Sequence, residues 1–124
     1  MPVLYQFEVP NNADWVQQIT LNSYNPATNQ RAPYDLTGVE VKMELVGEHS
    51  GIPSLLLSTN NGYIVIPSSG DLGEFLIQVP ASVMWTLPGG VYNGDCLLIL
   101  PSGSVVFAFN VQLTLDAGTT PPSP

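Results

Sequence analysis

Cys96 and His49 are the side chains best suited to nucleophilic or acid–base chemistry, and each type occurs once in the 124 residues. A cysteine attacks as its thiolate, which forms readily only near positive charge. Cys96 instead follows Asp95 and precedes the apolar run Leu97-Leu98-Ile99-Leu100, so a buried, inert packing thiol is expected. His49 lies between Glu48 and Ser50. Consecutive side chains rarely face one another as a nucleophile and its base must, so His49 reads as an exposed loop residue. Cys96 and His49 together fall short of the three or four protein ligands of a zinc site. The stretch Asp71-Leu72-Gly73-Glu74 lacks the alternating oxygen ligands of a calcium loop, and Asp35, Asp95 and Asp116 are far apart. A glycosidase-type carboxylate pair can come from distant positions, but nothing singles one out. The sequence therefore offers no catalytic, cofactor-binding or metal-ligating set, and a small esterase or lysin is disfavoured for want of a nucleophile–base pair.

What remains are aromatics in or beside turns: Tyr24, Tyr34 and Trp85. Exposed aromatics anchor protein interfaces and can stack on sugar rings. The plainer alternative is that Trp85 plugs one end of the fold and Tyr34 packs beneath its loop.

Charge excludes whole classes of partner. Ten acidic residues face only Arg31 and Lys42, for a formal net charge of -8. Nucleic-acid binding draws much of its affinity from Lys and Arg releasing counterions from phosphates, and anionic membranes attract basic segments in the same way. Neither partner is expected. No run of 18 apolar residues suggests a spanning helix. The start, Met1-Pro2-Val3-Leu4-Tyr5-Gln6-Phe7-Glu8, has no basic stretch followed by an apolar one. At 124 residues, 44% of them hydrophobic, one domain with its own core is feasible without disulfides.

The apolar spacing has period two almost throughout, which predicts strands. Val39, Val41, Met43 and Leu45 alternate with Glu40, Lys42 and Glu44, giving a half-buried antiparallel strand. Trp15, Ile19 and Leu21 share a face interrupted by Gln17, and Tyr5, Phe7 and Val9 share another. Residues 25–30 read as a loop, and Asn61-Gly62 as a hairpin turn. Further strands are expected at 63–66, 74–79 and 91–100, with a helical turn over 80–87. The longest strand places Val105, Phe107, Phe109, Val111, Leu113 and Leu115 on one face, opposite Asn110, Gln112 and Thr114. Such a series predicts an all-β, two-sheet antiparallel β-sandwich, immunoglobulin-like or jelly-roll, over residues 1–116. A proline-rich C-terminal tail, 117–124, follows without core-forming residues.

The turn signals come in a distinctive order: Asp14-Trp15, Pro33-Tyr34-Asp35-Leu36-Thr37-Gly38, Asn60-Asn61-Gly62, Ser69-Gly70-Asp71-Leu72-Gly73 and Leu87-Pro88-Gly89-Gly90-Val91-Tyr92. Over roughly residues 12 to 115 this order resembles small tail and baseplate-associated proteins of tailed bacteriophages, including the N-terminal modules of baseplate upper proteins and tail fibres. The resemblance implies a non-enzymatic structural protein of a virion tail, baseplate or neck, made in the host cytoplasm. It would assemble as an oligomer with other virion structural proteins through sheet edges, loops and terminal segments. The span Met1 to Pro124 reads as a whole small protein, whereas many of those relatives continue into a fibre or enzymatic domain. The alternatives are a module binding host-surface carbohydrate or a receptor, and a capsid decoration protein. Tail residues Thr119, Pro121 and Pro122 join the aromatics as interface candidates, because a proline-rich segment loses little freedom when it docks. The segment Met1 to Val9 is expected to pack on neighbouring subunits as well.

Overall fold

The computed structural model describes residues 4–48, 54–67 and 73–122. His49 and the turn Ser69-Gly70-Asp71-Leu72 lie outside the described residues. Among the described residues ten strands and one short helix follow in order: β1 (Leu4–Pro10), β2 (Trp15–Thr20), β3 (Asn22–Asn25), β4 (Gln30–Pro33), β5 (Glu40–Gly47), β6 (Leu55–Ser58), β7 (Ile64–Val65), β8 (Glu74–Val79), α1 (Ala81–Met84), β9 (Gly90–Ile99) and β10 (Val105–Asp116).

They form a five-stranded sheet, β1-β10-β9-β5-β6, a three-stranded sheet, β2-β8-β7, and a two-stranded hairpin, β3-β4. The alternation read from the sequence is what allows this. In β5 the inward Val41, Met43 and Leu45 are buried while Lys42 and Glu44 face solvent. In β8 Phe75, Ile77 and Val79 do the same. The inward faces of both sheets share one core, as expected of a sandwich. Of the two expected topologies, the strand order is the immunoglobulin-like one. That class carries a tyrosine at the start of a late strand whose hydroxyl bonds back to the preceding corner. Here Tyr92 Oη donates to the Pro88 carbonyl at 2.7 Å.

Three details differ from the expected pattern. First, β1 pairs with β10 in parallel, from Leu4 opposite Asn110 to Pro10 opposite Asp116, although the other pairings are antiparallel. Parallel neighbours need a long crossover, and here everything between the two strands serves as one. Residues 4–9, expected against other subunits, thus belong to this chain's own sheet. Second, Asn61-Gly62 does not make a hairpin, because β6 and β7 belong to different sheets. Gly62 has the positive φ, 83°, that the motif suggests. The Asn61 side chain builds a corner instead: Oδ1 accepts from the amides of Ser58 and Tyr63, and Nδ2 donates to the Leu56 carbonyl. Third, a β-bulge in β10 lies between Phe107 and Phe109, so the apolar face does not run unbroken from Val105 to Leu115. Val106 packs toward the core, whereas Val105 and Phe107 point out.

The β3–β4 hairpin is an excursion between β2 and β5, and its base is closed on itself. Tyr34 N–H donates to the Leu21 carbonyl at 2.9 Å, and Leu21 N–H donates to the Gly73 carbonyl at 2.7 Å. Gly73 has φ of 69°, and a Cβ there would collide with the Leu21 carbonyl oxygen. Only glycine fits that position.

Trp15, 1% exposed, is the largest buried side chain. It packs edge-on to Phe7 of the opposite sheet, with ring centroids 5.7 Å apart. Trp15→Ala is expected to cost about 3–5 kcal/mol in denaturant melts. Trp15→Phe should cost much less, because it also removes a buried Nε1–H without an acceptor among the described residues. A loss below about 1 kcal/mol for Trp15→Ala would contradict the core role.

Candidate functional site

The expected interface residues occupy three different places. Tyr24 lies on β3, 55% exposed, directly across from Arg31 of β4. Its hydroxyl donates to Asn29 Oδ1 at 2.6 Å, and the Arg31 guanidinium stands 6.0 Å from the ring centroid. Asn29 reaches the required position with φ of 55°, a conformation that asparagine tolerates better than most residues. Tyr24, Arg31, Ser23, Thr28 and Gln30 line a shallow polar cleft on this hairpin. Tyr34 instead is half-buried against the core, and its backbone closes the hairpin base. Trp85 follows α1 and is 37% exposed, with its backbone N–H donating to the Ala81 carbonyl.

The tail begins on this chain rather than free of it. Asn11 Oδ1 accepts from Gly118 N–H at 2.8 Å, and Asn12 Nδ2 donates to the Thr120 carbonyl at 3.1 Å. Asn11 is buried and its Nδ2 also donates to the Leu87 carbonyl. One asparagine thus ties the end of β1, the loop after α1 and the start of the tail. Thr119 and Pro121 remain exposed and Pro122 is half-buried.

The outer face of the five-stranded sheet joins Gln112, expected on the polar side of the last strand, to residues that the sequence pattern did not single out. A chain of amide hydrogen bonds crosses it: Gln6 Nε2 donates to Gln112 Oε1, Gln112 Nε2 to Asn93 Oδ1, and Asn93 Nδ2 to Glu48 Oε2, at 2.9, 3.3 and 2.8 Å. Beyond this polar band the same face turns apolar. Val105 pairs with Ile99 and Phe107 with Leu97, and Val105 and Phe107 are 59% and 47% exposed. The run Val105-Val106-Phe107-Ala108-Phe109 is apolar at odd and even positions alike. That break in alternation was the available signal for a surface patch.

Cys96 and Glu8 are among the groups whose chemistry is displaced by their surroundings. Burial, and secondarily the charge of Asp95, push the Cys96 thiol up to about 12. That thiol stays protonated and lies wholly inside the core. The Glu8 carboxyl is raised by its hydrogen bond to Asp116 and by the like charge there. Among the described residues no group of three or more His, Cys, Asp and Glu could hold a metal ion. None of their helices is long and apolar enough to cross a membrane.

No protein-family profile and no curated sequence matches the chain. Among solved structures it is similar to a family 123 glycoside hydrolase from Clostridium perfringens, described for glycolipid glycan hydrolysis. The superposition has a TM-score of 0.51 at 13% identity and covers 95% of this chain. It covers 23% of the hydrolase, so the chain spans about a quarter of that protein's length. The likeness is one of fold.

Cys96 should resist thiol reagents at pH 8 in the folded protein and react fully once unfolded; rapid native labelling would contradict its burial. Glu8 supplies a pH test. Its ordinary value is 4.5, and the folded protein holds the proton to higher pH. The contribution to stability is therefore present below that value and lost as pH rises through the raised one. Glu8→Gln should leave the melting temperature unchanged near pH 3 and raise it relative to the unsubstituted protein at pH 7. Equal melting temperatures at both pH values would show that the pair exerts no repulsion.

Proposed function

We propose that this chain is a non-enzymatic structural module of a bacteriophage virion, in the tail, baseplate or neck, built to hold loops and sheet edges rigidly against neighbouring subunits. The observation that carries this reading is the work done by the motifs behind the phage resemblance. Asp14 Oδ1 accepts from Ala81 N–H at 2.7 Å and so caps α1 from a distant stretch of the chain. In the Asp35-Leu36-Thr37-Gly38 stretch, Asp35 Oδ1 accepts from Thr37 N–H, Leu36 is buried, and Gly38 takes a φ of 71°. Asn61 forms the corner between sheets, Gly73 fixes the hairpin base, and Tyr92 ties to Pro88. Where their residues are described, these motifs serve as fastenings of the sandwich, so the resemblance concerns what makes the fold along most of the chain.

The charge of -8 supports the same setting. An acidic module repels packaged DNA, and with two basic side chains it is poorly suited to bind nucleic acid or an anionic membrane. Its partners are then other virion structural proteins. Synthesis in the host cytoplasm and residence in the particle follow from that role.

A second reading has its own observation. The Tyr24–Arg31 hairpin presents an aromatic ring, a guanidinium and amides together, a combination that suits a host-surface glycan, and the structurally similar hydrolase is described as acting on glycolipid glycan.

Quantitative mass spectrometry and immunogold labelling of purified particles test the first reading. The chain is expected at a fixed copy number set by the particle's symmetry and at one location. Absence from particles would overturn it. A glycan array tests the second reading, with Tyr24→Ala and Arg31→Ala expected to abolish any signal; an array without signal would dismiss it.

A further inference from the structure

We infer that the outer face of the five-stranded sheet is a two-fold interface, and that its occupant is a second copy of this chain. Two adjacent rows of that face carry the inference. One runs Glu40–Ile99–Val105 across β5, β9 and β10, and the next runs Lys42–Leu97–Phe107. The bulge in β10 turns Val105 and Phe107 outward, and the half-buried Ile99 and Leu97 beside them complete an apolar corner. An apolar patch flanked by polar groups, here the amide band, marks an interaction site.

Charge selects the partner. Lys42 is one of two basic side chains in the sequence. Its cross-strand neighbours, Leu97 and Ser58, carry no charge, and the carboxylates on its own face, Glu40 and Glu44, stand one step away along the same strand. A two-fold axis lying between the two rows and perpendicular to the strands sets each row against the other row of the second copy. Glu40 then meets Lys42 twice, Ile99 meets Leu97 twice, and Val105 meets Phe107 twice. This is the self-complementarity that an isologous contact requires. The position of the axis is constrained as well. Moved one row along, it would still pair Lys42 with Glu44, but it would set Asp95 on Leu97 and Asn110 on Phe107, burying polar groups without partners. Kept between the two rows, it carries Glu44 beyond the start of the partner's β5. Sheets packed face to face cross at about 30°, so the match is confined to these central rows and the amide band stays at the rim.

The inference rests on sheet geometry and not on the virion reading. A monomeric chain would overturn it and leave that reading standing; absence from particles would do the converse. Sedimentation equilibrium on the full chain is the test, with circular dichroism and thermal melts as controls for folding. The unsubstituted chain is expected to dimerise reversibly. Phe107→Asp should leave a folded monomer, since the ring faces outward. Lys42→Glu and Glu40→Lys should each weaken the dimer at least about tenfold, by placing like charges together. The double variant Glu40→Lys/Lys42→Glu should restore it, because exchanging the charges re-forms both pairs. A chain monomeric at every concentration overturns the inference. So does a dimer that survives both Phe107→Asp and Lys42→Glu, or one that the double exchange fails to restore.

Discussion

The contact of aromatic rings between the two sheets is the interaction on which the rest of this structure depends. Tyr5 and Phe7 of β1 and Phe109 of β10 belong to the larger sheet; Trp15 of β2 and Phe75 of β8 belong to the smaller. Tyr5 meets Phe109 edge-on at 4.6 Å, and Phe75 stacks parallel to Phe109 at 6.4 Å. The smaller sheet has three strands, one of them only two residues long. A sheet that small is marginal unless its apolar face is covered. Burying large rings against the five-stranded sheet supplies that cover, and each aromatic pair adds about 0.5–1.5 kcal/mol beyond its area. The contact also pins the outer strand of each sheet, β1 and β2, at the same side of the sandwich.

Given that seam, the remaining problem for the chain is to change sheets without leaving polar groups unpaired. Asparagine and aspartate do this repeatedly. Asn61 turns the chain from β6 to β7, Asn11 joins β1 to the tail and the loop after α1, and Asp14 caps α1. Their short side chains can replace a backbone partner where the ladder is interrupted. The inside of the molecule and its corners thus account for the residues most distinctive in the sequence. The surfaces left for partners are the sheet faces, the β3–β4 hairpin and the tail.

Strands with strict alternation were legible from sequence, because one buried face dictates the pattern: β5 and β8 lie where Val39 to Leu45 and Glu74 to Val79 placed them. The burial of Cys96 followed from its apolar flank in the same way. Which strands pair was not legible. The parallel union of β1 and β10 joins residues more than a hundred positions apart, and local spacing carries no trace of it. Asn61-Gly62 misled for a related reason, since its local chemistry suits a hairpin and only the separation of β6 and β7 into two sheets excludes one. Tyr34, open to either a surface role or packing beneath its loop, takes the second course, half-buried where a backbone bond to Leu21 holds it. The outer patch escapes a strict alternation carried through Phe107, where one extra residue in β10 reverses the face.

The parallel pairing of β1 with β10 has a mechanical consequence. The two strands lie side by side over seven register pairs, with Leu4 beside Asn110 and Pro10 beside Asp116. Tension entering at the start of β1 and leaving at the end of β10 therefore runs along their common axis. The hydrogen bonds between them would be loaded together, in shear, and must fail as a group. Two antiparallel strands pulled from adjacent ends would instead separate bond by bond, like a zipper. Strung in series under tension, this module would yield at high force and transmit load between its poles with little extension.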